Sequence, residues 1–252
     1  MTAPTRNAMS TTRKLTLAAG LFYIGTFIFS IPALPLYDQV LNHTTSFVHG
    51  NGSSTPVLWA GLIEVLTALT GIGSAVALYP ILKRHAPARA VGFVASRTLE
   101  AAAIVMGVVT VLGIVTLRHD FAGATGADAA ALNMSAHGLA AVKDWTFLAG
   151  PGVMPAVNAL CFATILYRTR LVPRWIPTFG FIGAPVLIAS TTATLFGVFD
   201  QVSGVATLFA LPIATWELSV GIYMTFKGFK TPSPSVIDVS DEPVPAPLLT
   251  HA

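Results

Sequence analysis

Charged residues are scarce in this chain: Asp, Glu, Lys and Arg make up 10% of its 252 residues, whereas 54% are hydrophobic. A soluble globular domain has about 25% charged residues. Composition therefore excludes a water-soluble globule and indicates an integral membrane protein. The net charge of +3 comes from basic residues in short clusters between apolar stretches, which argues against a nucleic-acid partner.

Cysteine is almost absent, and histidine is absent from the apolar stretches. The single Cys161 excludes an intramolecular disulfide and a cysteine-based metal site. With all six histidines outside these stretches, haem held by two histidines and zinc at bilayer depth are both disfavoured. HExxH, GxSxG and phosphate-loop motifs are also missing. We therefore assign no catalytic residue, no metal ligand and no cofactor.

What the chain has instead is six apolar stretches, each long enough for the ~20-residue helix that crosses a bilayer. They predict an all-α fold, a polytopic bundle of six transmembrane helices within residues 13–230. The predicted spans are 15–36, 57–82, 90–117, 142–167, 176–199 and 205–226. Between the third and fourth spans we expect a long loop, in which Asp128 caps a helix leading into the fourth span. Residues 231–252 are rich in Pro, Ser and acids, which predicts a disordered tail.

The basic residues predict the orientation of the bundle. If the N-terminal segment 1–12 is cytoplasmic, six spans return the C-terminus to the cytoplasm as well. Eleven of the 14 Lys and Arg residues then lie inside, as the positive-inside rule requires. These eleven are Arg6, Arg13, Lys14, Lys83, Arg84, Arg89, Arg168, Arg170, Arg174, Lys227 and Lys230.

Four ionisable residues lie inside predicted spans: Glu64, Arg97, Glu100 and Glu217. A charge at the bilayer centre costs roughly 2.5–3.5 kcal/mol on insertion scales, so it usually faces a partner or a wet cavity. Arg97 and Glu100 are three residues apart and share one face of a helix. Glu217 enters from the opposite side and reaches a similar depth. The spacing therefore allows an interhelical cluster of Arg97 with Glu100 and Glu217.

Glu64 is predicted to lie in a shallower layer, about 10 Å below the outer surface by helical rise. We place it with Lys143 and Asp144, and consider His137 as a further member. One arginine neutralises only one carboxylate, so the others must find a second cation, find water or take up a proton. A glutamate that binds a proton within the membrane is what a proton-coupled carrier needs.

Prolines within the predicted spans mark positions where a helix is expected to be interrupted. Pro151 and Pro155 interrupt the fourth span, Pro185 is predicted to interrupt the fifth, and Pro212 lies five residues before Glu217. Broken spans are tolerated where protein or a wet cavity satisfies the backbone, and transporter sites often use them.

Asn158 and Trp216 complete the set of candidate ligand- or proton-binding residues. Asn158 either bonds across helices or simply packs. Trp216 is either a core residue or a wall of a ligand cavity. The full set is Glu64, Arg97, Glu100, Asp144, Asn158, Trp216 and Glu217.

Four strings resemble a known family: GFVASRTLEAAAIV, KDWTFLAGPG, LYRTRLVPRWIPTFGFIGAP and WELSVGIYMTFKGF. In this order they resemble the prokaryotic six-helix membrane proteins of domain-of-unknown-function family 4386, over about residues 12–230. The resemblance implies a multi-pass protein of the bacterial plasma membrane and implies no activity. The strings contain Arg97, Glu100, Asp144, Trp145, Arg174, Trp175, Trp216 and Glu217, to which the resemblance assigns no roles.

Three functions remain open at this stage. The first is a non-enzymatic membrane protein that binds or transports a small solute or proton through the buried Glu and Arg residues. The second is a membrane enzyme that acts on a lipid or quinone by carboxylate acid–base chemistry. The third is a structural or regulatory subunit whose buried charges set helix register. The expected partners are the lipid bilayer and a small-molecule or lipid ligand, and the oligomeric state stays open.

Overall fold

The computed structural model describes residues 9–230, which form nine α-helices and no β-strand within that range. The predicted disordered tail and residues 1–8 of the predicted N-terminal segment lie outside the described residues. The helices are α1 (Thr11–Leu36), α2 (Asp38–Leu41), α3 (Thr44–Val48), α4 (Thr55–Leu82), α5 (Pro87–Asp120), α6 (Gly126–Ala149), α7 (Met154–Thr169), α8 (Trp175–Leu195) and α9 (Gly204–Phe226).

Six helical segments are long and apolar enough to cross a membrane: α1, α4, α5, α6 together with α7, α8 and α9. The predicted all-α fold with six spans is thereby confirmed. The orientation of the termini in the membrane stays a prediction. We call the end where α1 begins and α9 ends the terminal end of the bundle, and the opposite end the far end.

Local signals explain where several helices begin. Ser10 caps α1, because its Oγ accepts a hydrogen bond from the Arg13 amide at 3.2 Å. Ser203 caps α9 in the same way, with the Ala206 amide as donor at 3.2 Å. Helices α4, α5 and α7 each carry a proline in their first two positions, where the missing amide hydrogen costs nothing.

The region expected to be a loop between the third and fourth spans is mostly helical. Helix α5 continues to Asp120, and α6 already begins at Gly126. Asp128 lies in the first turn of α6 rather than at its cap, which is Thr125. This segment is rich in alanine, a strong helix former. Leu132 is buried against α3 and the end of α5, so tertiary packing stabilises the extra helix.

The six spans close into a ring. Each span packs on its neighbours in sequence, and α9 packs back on α1. Helix α7 lies deepest: its Phe162 is completely buried and contacts the rings of Tyr23, Phe93 and Trp216 at centroid distances of 5.1–6.2 Å. This aromatic core fills the terminal half of the bundle. A second apolar core joins α2 and α3 to α5 and α6 at the far end.

Prolines affect the spans unequally. The fourth span is broken, since α6 ends at Ala149 and α7 begins at Met154. The predicted interruption at Pro185 is wrong, because α8 runs through it without a break. One proline removes one backbone hydrogen bond. Here close packing on α9 holds the helix together: a Cβ at Gly183 would lie 2.7 Å from the backbone nitrogen of Ile213.

Candidate functional site

A cavity of about 240 Å³ lies between α1, α4, α5, α9 and the break between α6 and α7. We call it the central cavity. All four ionisable residues predicted within spans line it, namely Glu64, Arg97, Glu100 and Glu217. Its other walls are mainly apolar and include Phe27, Ile31, Leu34, Ala68, Ala101, Ile104 and Phe147. Pro151 and Pro155 of the broken span also contribute to the wall.

Arg97 binds two carboxylates that come from two different helices. Its Nη1 donates to Glu100 Oε2 at 3.1 Å, and its Nη2 donates to Glu217 Oε1 on α9. The structure thus confirms the predicted contacts among these three residues, which we call the arginine cluster. Each carboxylate uses one oxygen in its bond to Arg97, so the guanidinium bridges α5 and α9 rather than forming one bidentate pair.

The guanidinium is enclosed on its terminal side by aromatic rings. Its carbon lies 4.9 Å from the centre of the Tyr23 ring and 6.0 Å from that of Phe93. These are cation–π distances, which are favourable in a desolvated site. The Arg97 side chain is only 3% exposed, and its Nε has no hydrogen-bond partner within residues 9–230. The arginine is therefore held on one side by rings and on the other by carboxylates.

Asn158 attaches the arginine cluster to α7. Its Nδ2 donates to Glu100 Oε2 at 2.6 Å, and its Oδ1 accepts a hydrogen bond from Ser96 Oγ. Of the two roles considered for Asn158, hydrogen bonding across helices is therefore the one observed. Because Glu100 Oε2 accepts from both Asn158 and Arg97, this carboxylate is held in a fixed position.

A second ion pair lies toward the far end. Lys143 Nζ is 2.8 Å and 2.6 Å from the two carboxylate oxygens of Glu64, and Tyr37 donates its hydroxyl to Glu64 Oε2 at 2.9 Å. We call Glu64 and Lys143 the lysine pair. Lys143 passes close over α5, where a Cβ at Gly107 would lie 2.9 Å from its Cδ. The predicted association of Glu64 with Lys143 is confirmed.

The charges around the central cavity do not balance. Three carboxylates face two basic groups, which leaves one surplus negative charge if every group is ionised. The lysine pair uses both oxygens of Glu64. In the arginine cluster, by contrast, Glu100 Oε1 and Glu217 Oε2 form no hydrogen bond with any residue of the range 9–230. These two oxygens are available to a ligand, to water or to a proton.

A smaller cavity of about 140 Å³, the far pocket, lies next to the central cavity. The two share Leu34, Glu64 and Phe147 in their walls. The far pocket also includes Asp38, Asn42 and Gln201, which follow or precede spans at the far end. A route from that end of the bundle to the arginine cluster would pass between Leu34, Phe147 and the lysine pair.

The remaining candidates lie away from the central cavity. Asp144 lines the far pocket beside Lys143. Trp216 is 1% exposed and packs edge-to-face on Phe162, so it belongs to the aromatic core and not to the cavity wall. His137 is not in the layer of Glu64, because its Nε2 lies 2.9 Å from the hydroxyl of Thr45 near the surface.

Sequence reasoning missed the neutral partners of the buried charges. Tyr37 follows the first span, and its signal was only that a tyrosine there has an apolar body and a polar tip. Ser96 is adjacent to Arg97, but a serine in a span has many ordinary packing roles. Tyr23 and Phe93 were also unmarked, since aromatic residues are common in spans.

Comparisons with known proteins locate the chain in one family. A search of curated proteins finds no match, and a search of solved structures finds none either. One family model matches residues 18–228, a range that includes five whole spans, most of the first span and every residue of both ion-paired groups. The chain therefore belongs to the family described as "Domain of unknown function (DUF4386)".

Proposed function

We propose that this membrane protein binds a small solute or a proton in the central cavity, and that it transports what it binds. The observation that supports this most directly is the arginine cluster at the edge of the central cavity. Buried carboxylates with unpartnered oxygens beside an open space are an unusual arrangement for purely structural charges, which are normally fully hydrogen-bonded. Intramembrane ionisable residues commonly mark solute or proton pathways.

The asymmetry of the bundle supports a carrier with access from one end at a time. On its far side, the central cavity shares Leu34, Glu64 and Phe147 with the far pocket. On the terminal side, the aromatic core around Phe162 fills the bundle. We propose that this conformation is the one closed toward the terminal end, and that movement of α7 or α9 opens the other route. The break between α6 and α7 supplies a hinge position.

The broken fourth span is a further feature that is expected of a transporter. Discontinuous helices at the membrane midplane are frequent at transporter sites, because they leave backbone groups free for a ligand. Here the break contributes Pro151 and Pro155 to the wall of the central cavity. It also packs on α5 near Glu100, since a Cβ at Gly150 would lie 3.5 Å from the Glu100 carbonyl oxygen.

A lipid- or quinone-modifying enzyme is the second candidate. It is favoured by one specific observation: Ile31 and Leu34 line the central cavity, yet they are 61% and 47% exposed on the surface of α1. This combination indicates an opening between helices toward the acyl chains. Glu217, 14% exposed, would then be the acid–base group that a lipid headgroup meets. Binding and transport remain the first choice, because the charged cluster with its two free carboxylate oxygens lies beside the central cavity.

The membrane setting is part of the proposal. We propose that the protein resides in the plasma membrane of a bacterium with both termini in the cytoplasm, because this orientation puts most of its basic residues inside.

A ligand screen tests the proposed function. The full-length protein in detergent is unfolded thermally in the presence of a panel of small cationic, neutral and anionic solutes. A ligand that binds only the folded state raises the transition, by about 2.7 kcal/mol in stability at 100 times its Kd. We expect at least one solute to stabilise the protein, and the same solute to be taken up by proteoliposomes.

Gly71→Leu is the matched variant, because it fills space in the central cavity and leaves its charged residues in place. Gly71 lines the cavity, and a Cβ there would meet no atom within 4 Å. The variant should fold, yet lose stabilisation and uptake. Stabilisation or uptake that Gly71→Leu retains at the level of the natural chain, or a panel in which no solute acts on the natural chain, would contradict the proposal. Release of a modified lipid would favour the enzyme.

A further inference from the structure

Resting on the proposed function, we infer that the central cavity selects a small organic cation, and that this cation exchanges with one proton at the arginine cluster. The inference concerns the chemical class of the ligand and its coupling. It is drawn from three properties of the cavity: its charge, the arrangement of its donors and acceptors, and its apolar walls.

The charge of the cavity favours a cation. Each of its two basic groups is already committed, since Arg97 binds Glu100 and Glu217, and Lys143 binds both oxygens of Glu64. One negative charge is left over in a site of low dielectric, where an uncompensated charge is very unfavourable. A ligand with a single positive charge would make the site neutral.

The hydrogen-bonding groups lead to the same ligand class. The charged groups that are free on the cavity side are acceptors, namely Glu100 Oε1 and Glu217 Oε2, which have no partner within the described part of the chain, and the neutral hydroxyl of Ser30 also lines the cavity. An anion would need donors instead. The Arg97 Nε is the one buried side-chain donor of residues 9–230 without a partner, but it is enclosed in protein and unreachable from the cavity. An anionic ligand could accept a bond from the Ser30 hydroxyl, but it would add a second uncompensated negative charge to the site.

The walls favour an organic cation over a metal ion. Metal ions such as Ca²⁺ require six or more oxygen ligands, and Mg²⁺ gives up its water reluctantly. Besides the two free glutamate oxygens, the wall contains the paired carboxylate of Glu64 and the hydroxyls of Thr26, Ser30 and Thr67, and the rest is mostly carbon, including the rings of Phe27 and Phe147. Such a surface suits the carbon substituents of an ammonium group, which aromatic faces attract. The volume of about 240 Å³ is slightly below that of pockets for drug-sized ligands, ~300–1,000 Å³, so the cation is small.

Exchange with a proton follows from the same charge balance. When the cavity holds no cation, one proton shared by Glu100 and Glu217 neutralises the site while Arg97 keeps the other charge paired. A bound cation makes that proton unnecessary and its presence unfavourable. Cation and proton therefore compete for one negative charge, and each turnover exchanges one for the other. This competition is a coupling between ligands, and it must be reciprocal.

Titration calorimetry on the full-length protein in lipid nanodiscs tests the inference. The probes are phenyltrimethylammonium and choline, whose charge does not change with pH, and 3,3-dimethylbutan-1-ol, a neutral isostere of choline. We expect at least one of the two cations to bind at least tenfold more tightly than the alcohol. We expect the Kd of that cation to rise by up to tenfold for each unit by which the pH falls, because a proton then occupies the site. When the titration is repeated in buffers of different ionisation enthalpy, the binding enthalpies should show that about one proton is released per cation bound.

Variants separate a specific site from general attraction to a negative protein. Glu217→Gln leaves Arg97 and Glu100 as a neutral pair, so cation affinity should fall at least tenfold and proton release should vanish. Asp128→Asn removes one charge from an exposed position of α6 and should change neither quantity. Glu100→Gln is a second test of the same charge if Glu217→Gln is not recovered as a folded protein.

The inference and the proposed function fail in different ways. If both cations fail to bind, bind no better than the alcohol, or bind equally to Glu217→Gln, the inference is overturned. If a neutral or anionic solute nevertheless binds the natural chain and not Gly71→Leu, the proposed function stands without it. If no solute of any charge distinguishes the natural chain from Gly71→Leu, both fail.

Discussion

The two groups of buried charge in this protein are held in different ways. The lysine pair is closed: both oxygens of Glu64 accept from Lys143, and Tyr37 adds a third hydrogen bond. The arginine cluster is open, because each of its two carboxylates keeps an unpartnered oxygen toward the central cavity. This closed pair links α4 to α6, each of which packs on α5. An open cluster at the edge of a cavity is suited to ligand binding.

Lys143→Met should destabilise the protein strongly, because it leaves the Glu64 carboxylate buried without its cation. Breaking a buried pair in this way typically costs about 3–5 kcal/mol. We expect the double variant Lys143→Met with Glu64→Leu to recover most of that loss, since it removes both charges. The free energy of unfolding in mixed micelles with increasing SDS measures both effects. Losses that simply add in the double variant would show that the two residues do not stabilise each other.

Close helix crossings depend on individual glycines, and the central cavity also contains one. Gly183 lets α8 approach the backbone of α9, with space for no larger residue. Gly71 lies in the middle of α4 beside open space. The same residue type therefore has opposite reasons to be there: contact in one helix and volume in the other.

Gly183→Ala and Gly71→Ala should change stability in opposite directions. The new methyl group at Gly183 would lie 2.7 Å from the Ile213 nitrogen, and overpacking of this kind costs about 1–3 kcal/mol. At Gly71 alanine meets nothing within 4 Å and favours the helix, so a gain of about 0.5–1 kcal/mol is expected. Thermal unfolding of the two purified variants compares them directly. A loss of equal size at both positions would contradict the packing argument.

The ring of six spans is closed at the terminal end by contacts between α1 and α9. Arg13 Nη1 donates to the Met224 carbonyl at 2.8 Å, and its Nη2 donates to the Thr225 carbonyl at 2.6 Å. These carbonyls end α9, where a positive charge is also favoured by the helix dipole. Below this contact, a Cβ at Gly20 would lie 2.6 Å from the Thr225 nitrogen.

Arg13→Gln should loosen the junction of α1 and α9 without disturbing the other spans. Hydrogen bonds to a charged group contribute about 1.5–3 kcal/mol, and Arg13→Lys should keep part of that. Hydrogen exchange at the amides of the last turn of α9 is the measurement. We expect faster exchange there in Arg13→Gln and unchanged exchange in α5, whereas a uniform increase throughout the bundle would indicate global destabilisation instead.

The predicted orientation of the whole bundle is testable with cysteine labelling in intact cells. In a Cys161→Ser background, a cysteine at Asp128 should react with an impermeant maleimide, and one at Lys227 should react only after the cells are opened. These positions lie at opposite ends of the described bundle: Asp128 is near the start of α6 at the far end, and Lys227 follows the end of α9 at the terminal end. Labelling of Lys227→Cys in intact cells would reverse the assignment of inside and outside.

The number of spans and the position of each charge along its helix follow from the sequence alone. Both depend on local properties, namely the length of an apolar stretch and the helical rise from its end to residues such as Arg97 and Glu217. The same spacing made the contacts of Arg97 with Glu100 and Glu217 predictable, because residues at one depth in a small bundle have few alternative partners. The helical segment after Gly126 is harder to predict from the sequence, since it is stabilised by packing on α3 and does not belong to a long apolar stretch.

Which side of each charge is open depends on the packing of the whole bundle. The space beside Gly71, the aromatic rings below Arg97 and the route past Glu64 depend on how each helix is rotated and which helices are its neighbours. Rotation and neighbourhood come from packing between residues far apart in the chain, and hydropathy along one helix contains little information about either. The difference between a sealed ion pair and an open binding site is therefore a property of the folded bundle.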